Sequence, residues 1–242
     1  MDNYAIQVNG VGKEFLSNPL NHFSLRKQAK DSHWSIKDVS FSVKPGESVA
    51  ILGGNGSGKS TLLKLILGVT SPTKGNIKIN GKIGGLIELG AGFHKELTGR
   101  ENIYINGVVL GLKEKEVDLI IDDIIEFSEL GSHIDKPVKQ YSSGMRVRLG
   151  FSIAIHVDSD IVLLDEVLAV GDAKFREKAL AAIKQYLKGK TIVFVSHSKA
   201  QVKQVCEKGI VIDEGMVAYE GEIRDAVDVY DEIIKKKKEN VS

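Results

Sequence analysis

Gly53-Gly54-Asn55-Gly56-Ser57-Gly58-Lys59-Ser60-Thr61 is preceded by the apolar run Ser48-Val49-Ala50-Ile51-Leu52 and followed by a helical pattern, Thr61 to Leu67, that Gly68 stops. The stretch fits G-x-x-x-x-G-K-[ST] in the strand–loop–helix context that a phosphate-binding loop requires. Its glycines let successive backbone N–H groups converge on one concave nest, which anions fill. The helix that follows presents its positive dipole end to the same point. Lys59 is spaced to reach the β- and γ-phosphates of a nucleoside triphosphate, and the Ser60 hydroxyl to ligate Mg2+.

The 242 residues give room for one large domain, or a core with a subdomain. A formal net charge of +1 argues for no polyanionic partner, nucleic acid included. Lys235 to Lys238 read as a solvated helix end, with contact to acidic lipid headgroups as the alternative. Cys206 is the only cysteine, so neither an intrachain disulfide nor a cysteine metal cluster can form. No apolar run approaches the ~18 residues that span a bilayer. Met1-Asp2-Asn3-Tyr4 is acidic and lacks an apolar signal core, so a start in the cytosol is expected.

Along the chain, Ala5 to Val8 read as a strand and residues 17–33 as an inserted loop. Val39, Phe41 and Val43 alternate with serines, the pattern of a half-buried strand. Short strands are expected on both sides of the Asn80-Gly81 turn. Val117, Ile120, Ile121, Ile124 and Ile125 share one helical face within a helical stretch from Glu101 to about Ser128. A helical subdomain is therefore expected over about residues 88–158. Ile161 to Leu164 and Thr191 to Val195 suit buried parallel strands. Ile210 to Asp213 and Met216 to Tyr219 flank Glu214-Gly215 as a hairpin, and a helical tail runs over about residues 222–242.

Three further segments bear chemistry. Asp165 emerges at the end of the Ile161–Leu164 strand, where it can hold Mg2+ opposite Ser60. Glu166 follows and can act as general base on the attacking water. His197 ends the Val193-Phe194-Val195-Ser196 run, on the side of an α/β sheet where ligands bind, and is placed to sense a γ-phosphate. The remaining histidines read as surface or core residues. Tyr141-Ser142-Ser143-Gly144-Met145-Arg146 opens a helix running to His156, a second N-terminal anion site. One pocket has no need of two such sites, so this one is expected to complete the pocket of a partner subunit.

With these four elements in this order, almost the whole chain resembles the nucleotide-binding subunit of an ABC transporter. The resemblance implies an α/β fold: a P-loop NTPase cassette over residues 1–242 with a RecA-like core, an antiparallel β subdomain and a helical subdomain. Tyr141 to Met145 stands where the family carries its Leu-Ser-Gly-Gly-Gln signature, with Tyr141, Ser143 and Met145 as departures. The Tyr-Ser-Ser-Gly-Met version resembles that of bacterial surface-polysaccharide exporters of teichoic acid, O-antigen and capsule. Asp165 to Asp172, with Asp172 in the D-loop, and the segments Glu88 to Phe93 and Leu97 to Asn102 resemble the same subfamily. Glu88 occupies the position of the family's Q-loop glutamine, and residues 85–102 are where a permease would dock.

The resemblance implies an ATPase using ATP and Mg2+, working as a homodimer beneath a permease dimer. It would lie peripherally on the cytoplasmic face of the cell (inner) membrane, held there through the permease. Lys59 and the loop amides would hold the phosphates, and Ser142, Ser143, Gly144 and Met145 of the second copy would cover the γ-phosphate. Ser60 and Asp165 would hold Mg2+, Glu166 would activate water, and His197 would stabilise the transferring phosphoryl. Trp34 is the choice for the aromatic that stacks on adenine, with Phe15 as the alternative. Another ABC importer or drug exporter, or a soluble ABC ATPase outside transport, is the competing reading. Near-neutral charge, the absence of long heptads and a single cassette speak against the soluble class.

Overall fold

β-Branched residues and alternation set the first sheet. β1 (Ile6–Leu16) and β2 (Ser32–Val43) pair antiparallel with Ile6 opposite Val43, and β4 (Lys74–Ile79) pairs on the other edge of β1 with Ile6 opposite Ile79. Val39, Phe41 and Val43 are buried along β2 as their alternation predicts. The computed structural model describes residues 3–16, 32–86, 92–165, 172–196 and 198–239. The expected loop at 17–33 therefore lies largely outside the described residues. Its last two residues, Ser32 and His33, belong to β2. Glu88, Glu166 and His197 also lie outside them.

The chain divides into two compact units, one drawn from residues 1–80 and 193–242, the other from residues 81–192. In the first, β3 (Ser48–Leu52) is buried along its whole length and runs parallel to β8 (Lys208–Asp213). Burying each large apolar side chain there contributes about 1.5–3 kcal/mol. α1 (Lys59–Ile66) leaves the loop after β3 and ends before Gly68, whose φ is +73°. β9 (Met216–Glu222) returns antiparallel to β8 through Glu214 (φ 47°) and Gly215 (φ 79°), the two left-handed residues of a type I′ hairpin turn. α8 (Ile223–Glu239) then packs on β8 through Ile223, Ala226, Val227 and Tyr230. A Cβ at Gly209 would meet that of Ala226 at 2.4 Å, so helix and strand approach as closely as a missing side chain permits. Of the lysines at its end, the exposed Lys237 is ion-paired with Asp213.

In the second unit, β5 (Ile83–Leu86) pairs parallel with β6 (Ile161–Asp165). The strands expected around Asn80-Gly81 thus exist but are not partners: β4 joins β1, and β5 joins β6. The helical stretch is three helices, α2 (Gly99–Val109), α3 (Glu114–Asp118) and α4 (Ile121–Ser128). Val117, Ile121 and Ile124 are buried in one cluster with Ile103, Leu149 and Ile153, and Ile120 and Ile125 pack at its edge. α5 (Ser143–His156) crosses this cluster, and α6 (Ala173–Tyr186) follows it. Phe127, Phe151 and Phe175 meet with ring centroids 5.9 to 6.0 Å apart. β7 (Thr191–Val195) is buried throughout, and the short α7 (Lys199–Val205) belongs to the first unit.

Candidate functional site

The phosphate loop is a strand end turned back by glycine. Gly58 caps α1 at φ 106°, and a Cβ there would lie 2.5 Å from the Ser35 carbonyl oxygen. At Gly53 a Cβ would lie 2.4 Å from both the Ile212 carbonyl and Ser57 Oγ. Gly56, at φ 75°, has open space at its Cβ. Only glycine fits the first two positions without backbone movement, whereas the third needs it for dihedral freedom.

Lys59 is buried, and its Nζ donates to the carbonyls of Gly53 at 2.7 Å and Gly54 at 2.9 Å. The ammonium thus ties the loop across its mouth and fixes its curvature. Ser60 is exposed on the first turn of α1, a turn with no acidic residue. Thr61, the last residue of the motif, is turned away: its Oγ1 lies 2.8 Å from Ser35 Oγ. The loop's far side is held by Gly215 N–H donating to the Ser57 carbonyl at 3.1 Å, and Lys37 N–H donates to the Gly215 carbonyl at 2.9 Å. Asp165 stands half-buried at the end of β6, where four buried apolar residues deliver it.

The second candidate anion site is built differently. Ser142 caps α5 with φ −63° and ψ 164°, its Oγ accepting the Met145 N–H at 3.2 Å. Tyr141 is buried, its hydroxyl donating to the His133 carbonyl at 2.6 Å, and burial pushes its pKa above the usual tyrosine value. The aromatic at this position is thereby an anchor, leaving Ser142 and Ser143 exposed at the start of the helix. A cavity of about 600 Å3 opens there, lined by Ser142, Ser143, Gly144, Met145, Arg148 and Asp172. Asp172 caps α6, accepting the Phe175 N–H at 3.0 Å, and is ion-paired with Arg148. The Phe175 N–H and, after it, the Arg148 charge hold its carboxyl below the usual carboxylate range.

Trp34 and Phe15 both sit on the β1–β2 ladder, opposite Glu14 and His33. Trp34 is half-buried over Gly12, with Lys74 Nζ 5.0 Å from its ring centroid; Phe15 is exposed, with Lys13 Nζ at 5.3 Å. Among the other histidines, His133 and His156 bond carbonyls of the preceding turn, Leu130 at 3.2 Å and Ser152 at 2.7 Å.

Two residues to which motif reading gave no role of their own matter here. Asn102 is fully buried and bonds the carbonyls of His94 at 3.0 Å and Thr98 at 2.8 Å while accepting His94 N–H at 2.7 Å. It locks residues 94–98 onto α2. Arg148 joins Asp172 to α5 and stacks on Phe175, its Cζ 4.8 Å from the ring centroid. A buried Asn after the Thr98–Glu101 capping box was a readable signal, but the partner of Arg148 was not.

Comparison with known proteins agrees with this construction. The ABC transporter family matches residues 36–169. The O-antigen export system ATP-binding protein RfbB of Klebsiella pneumoniae is 46% identical over 219 residues, 90% of this chain and 88% of that protein. The teichoic acids export ATP-binding protein TagH of Enterococcus faecalis is 52% identical over 187 residues, 77% of this chain and 42% of that longer protein. In fold, the chain matches the ATP-binding cassette MJ0796, solved as a dimer in a post-hydrolysis state with ADP and Pi. The TM-score is 0.70 at 24% identity, over 90% of this chain and 99% of that one. No helix among the described residues is long and apolar enough to cross a membrane. A glycine-built loop tied by its own lysine, inside a family match covering more than half of the chain, leads to one conclusion: this chain belongs to the ABC transporter family, as one of its ATPases.

Proposed function

We propose that this ATPase powers the export of a lipid-linked cell-surface polysaccharide, of the teichoic acid, O-antigen or capsule type, through a partner permease. The observation that carries the reading is the similarity, over most of the chain, to ATP-binding proteins of O-antigen and teichoic acid export. The Tyr141–Met145 signature and its buried tyrosine anchor support it.

Two copies pair head to tail around ATP, on the cytoplasmic face of the membrane beneath a permease dimer. The loop amides from Gly54 to Ser60, with Thr61 behind them, hold the phosphates of one nucleotide, and Lys59 neutralises their charge. Trp34, with Phe15 as the alternative, stacks on the adenine. Ser142, Ser143, Gly144 and Met145 of the second copy cover the γ-phosphate. The exposed helix N-terminus at Ser142 and Ser143 supports that role, and Asp172 lines the same cavity.

The donors fit Mg2+: an exposed serine hydroxyl and a carboxylate at a strand end are the hard oxygens this cation prefers. Ser60 and Asp165 would hold it, and when bound it offsets charge on the β- and γ-oxygens. Glu166 takes a proton from the attacking water, and His197 donates a hydrogen bond to the transferring phosphoryl. Glu88 connects the site to the permease. Catalysis is then mainly positioning and charge neutralisation, and closure of the dimer biases the permease between its states.

Replacement of the chromosomal gene by a Lys59→Ala copy tests the reading. The expected result is loss of one polymer from the cell surface and its accumulation inside on its lipid carrier. Unchanged surface polymers, with nucleotide binding lost, would overturn the export role and leave the ATPase chemistry standing.

A further inference from the structure

We propose that the last turns of α8 are a positioning element for the phosphate loop, with Ile234 and Lys237 as the residues that set nucleotide affinity. The proposal rests on the nucleotide site described above.

Three contacts from the C-terminal segment bear on that loop. The Ile212 carbonyl lies beneath Gly53, 2.4 Å from where its Cβ would be. Gly215 N–H donates to the Ser57 carbonyl at 3.1 Å. Ile234 Cδ1 lies 3.6 Å from where a Cβ on Gly54 would be, which places its side chain beside the second residue of the loop. The hairpin turn and α8 are in turn fastened together: Lys237 Nζ is 2.5 Å from Asp213 Oδ1 and 3.7 Å from Glu214 Oε1. Lys199 of α7 is ion-paired with Asp231, six residues before Lys237 on α8.

The physical consequence follows from how a nest binds anions. Its N–H groups must already converge when phosphate arrives, because ordering them on binding subtracts from affinity. Asn55 and Gly56 are exposed, so the loop's own packing constrains its tip weakly. Ile234 supplies an apolar backing at the neighbouring Gly54, and the Lys237–Asp213 pair holds Ile234 in register. The coupling is reciprocal: a nucleotide that steadies the loop steadies the end of α8 by the same factor.

The test uses the full chain, titrated with mant-ADP and assayed for ATP hydrolysis. Ile234→Ala and Lys237→Ala are expected to raise Kd and KM about three- to tenfold while kcat changes less than about twofold, the signature of lost ground-state positioning. Lys237→Arg should restore affinity, and Lys236→Ala, which removes an equal charge from the same turn, should bind as wild type. Amide exchange in residues 230–239 should slow with mant-ADP in the wild type and respond less in Lys237→Ala. If Ile234→Ala fails to fold, the surface variant Lys237→Ala decides alone. Wild-type affinity in the folded α8 variants, beside lost binding in Lys59→Ala, overturns this proposal by itself. Wild-type binding by Lys59→Ala overturns the nucleotide-site reading, and this proposal with it.

Discussion

Arg148, on the second turn of α5, is ion-paired with Asp172, the residue that caps α6, so the body of one helix is tied by a side chain to the cap of the next. Glu129 extends the pair into a cluster, 3.7 Å from Arg148 and 3.0 Å from Lys178. Lys178 also sits over the Phe127 ring at 4.4 Å. The geometry of the ion cluster is thus fixed by the aromatic packing beneath it.

Asp172 has two tasks, and two variants separate them. Asp172→Asn keeps an acceptor for the Phe175 N–H and loses the charge; Asp172→Ala loses both. Asp172→Ala should therefore melt lower than Asp172→Asn, and both lower than wild type at neutral pH. The folded carboxyl titrates below its unfolded value, first because of the Phe175 N–H and then because of Arg148. Its contribution to stability is present above the unfolded pKa of about 3.9 and is lost as pH falls below that toward the folded pKa. Melting temperatures followed from pH 7 to pH 3 should show the gap between wild type and Asp172→Asn closing at the acid end.

Gly99 is packed against Tyr141 so closely that it tolerates no side chain. A Cβ at Gly99 would fall 2.2 Å from the Tyr141 hydroxyl and 3.0 Å from the Ile134 carbonyl. Gly99→Ala should cost about 2–3 kcal/mol by overpacking. Tyr141→Phe, which removes the hydrogen bond to His133, should cost about 1 kcal/mol. Urea denaturation of the two variants and their double mutant measures this. The double should cost less than the sum, because removing the hydroxyl relieves the clash.

The glycines of the phosphate loop differ in what they do. Gly58→Ala places a Cβ 2.5 Å from the Ser35 carbonyl at φ 106°, which requires the loop to move. Gly56→Ala meets open space and bears only the left-handed penalty of about 1 kcal/mol. Mant-ADP binding should vanish in the first and weaken modestly in the second. Equal affinities would show that loop geometry does not control binding.

Trp34 is the only tryptophan, so the protein's tryptophan fluorescence reports on that one position. With Trp34 as the stacking ring, ADP should quench its emission, and Trp34→Ala should weaken binding about fivefold, on the order of 1 kcal/mol. Unchanged emission together with a similar loss in Phe15→Ala would move the base to Phe15.

The sequence by itself determined the elements whose signals are local. The phosphate loop, the buried strand that delivers Asp165, the hairpin at Glu214-Gly215 and the Ser142-capped helix each follow from residue types at fixed spacing, because glycine dihedrals, strand burial and N-capping act within a few residues. The resemblance carried by these motifs was enough to name the family before any geometry. Tertiary structure decided what depends on residues far apart in the chain. Asn76 to Asn80 and Lys82 to Ile83 look like short strands around one turn, yet β4 pairs with β1 and β5 with β6, because sheet partners are chosen by long-range packing. The burial of Tyr141 against Gly99, the pairing of Arg148 with Asp172, and the seating of Ile234 on Gly54 join residues separated by dozens to well over a hundred positions. No periodicity in the sequence encodes such contacts, since each exists only where two separately formed elements meet.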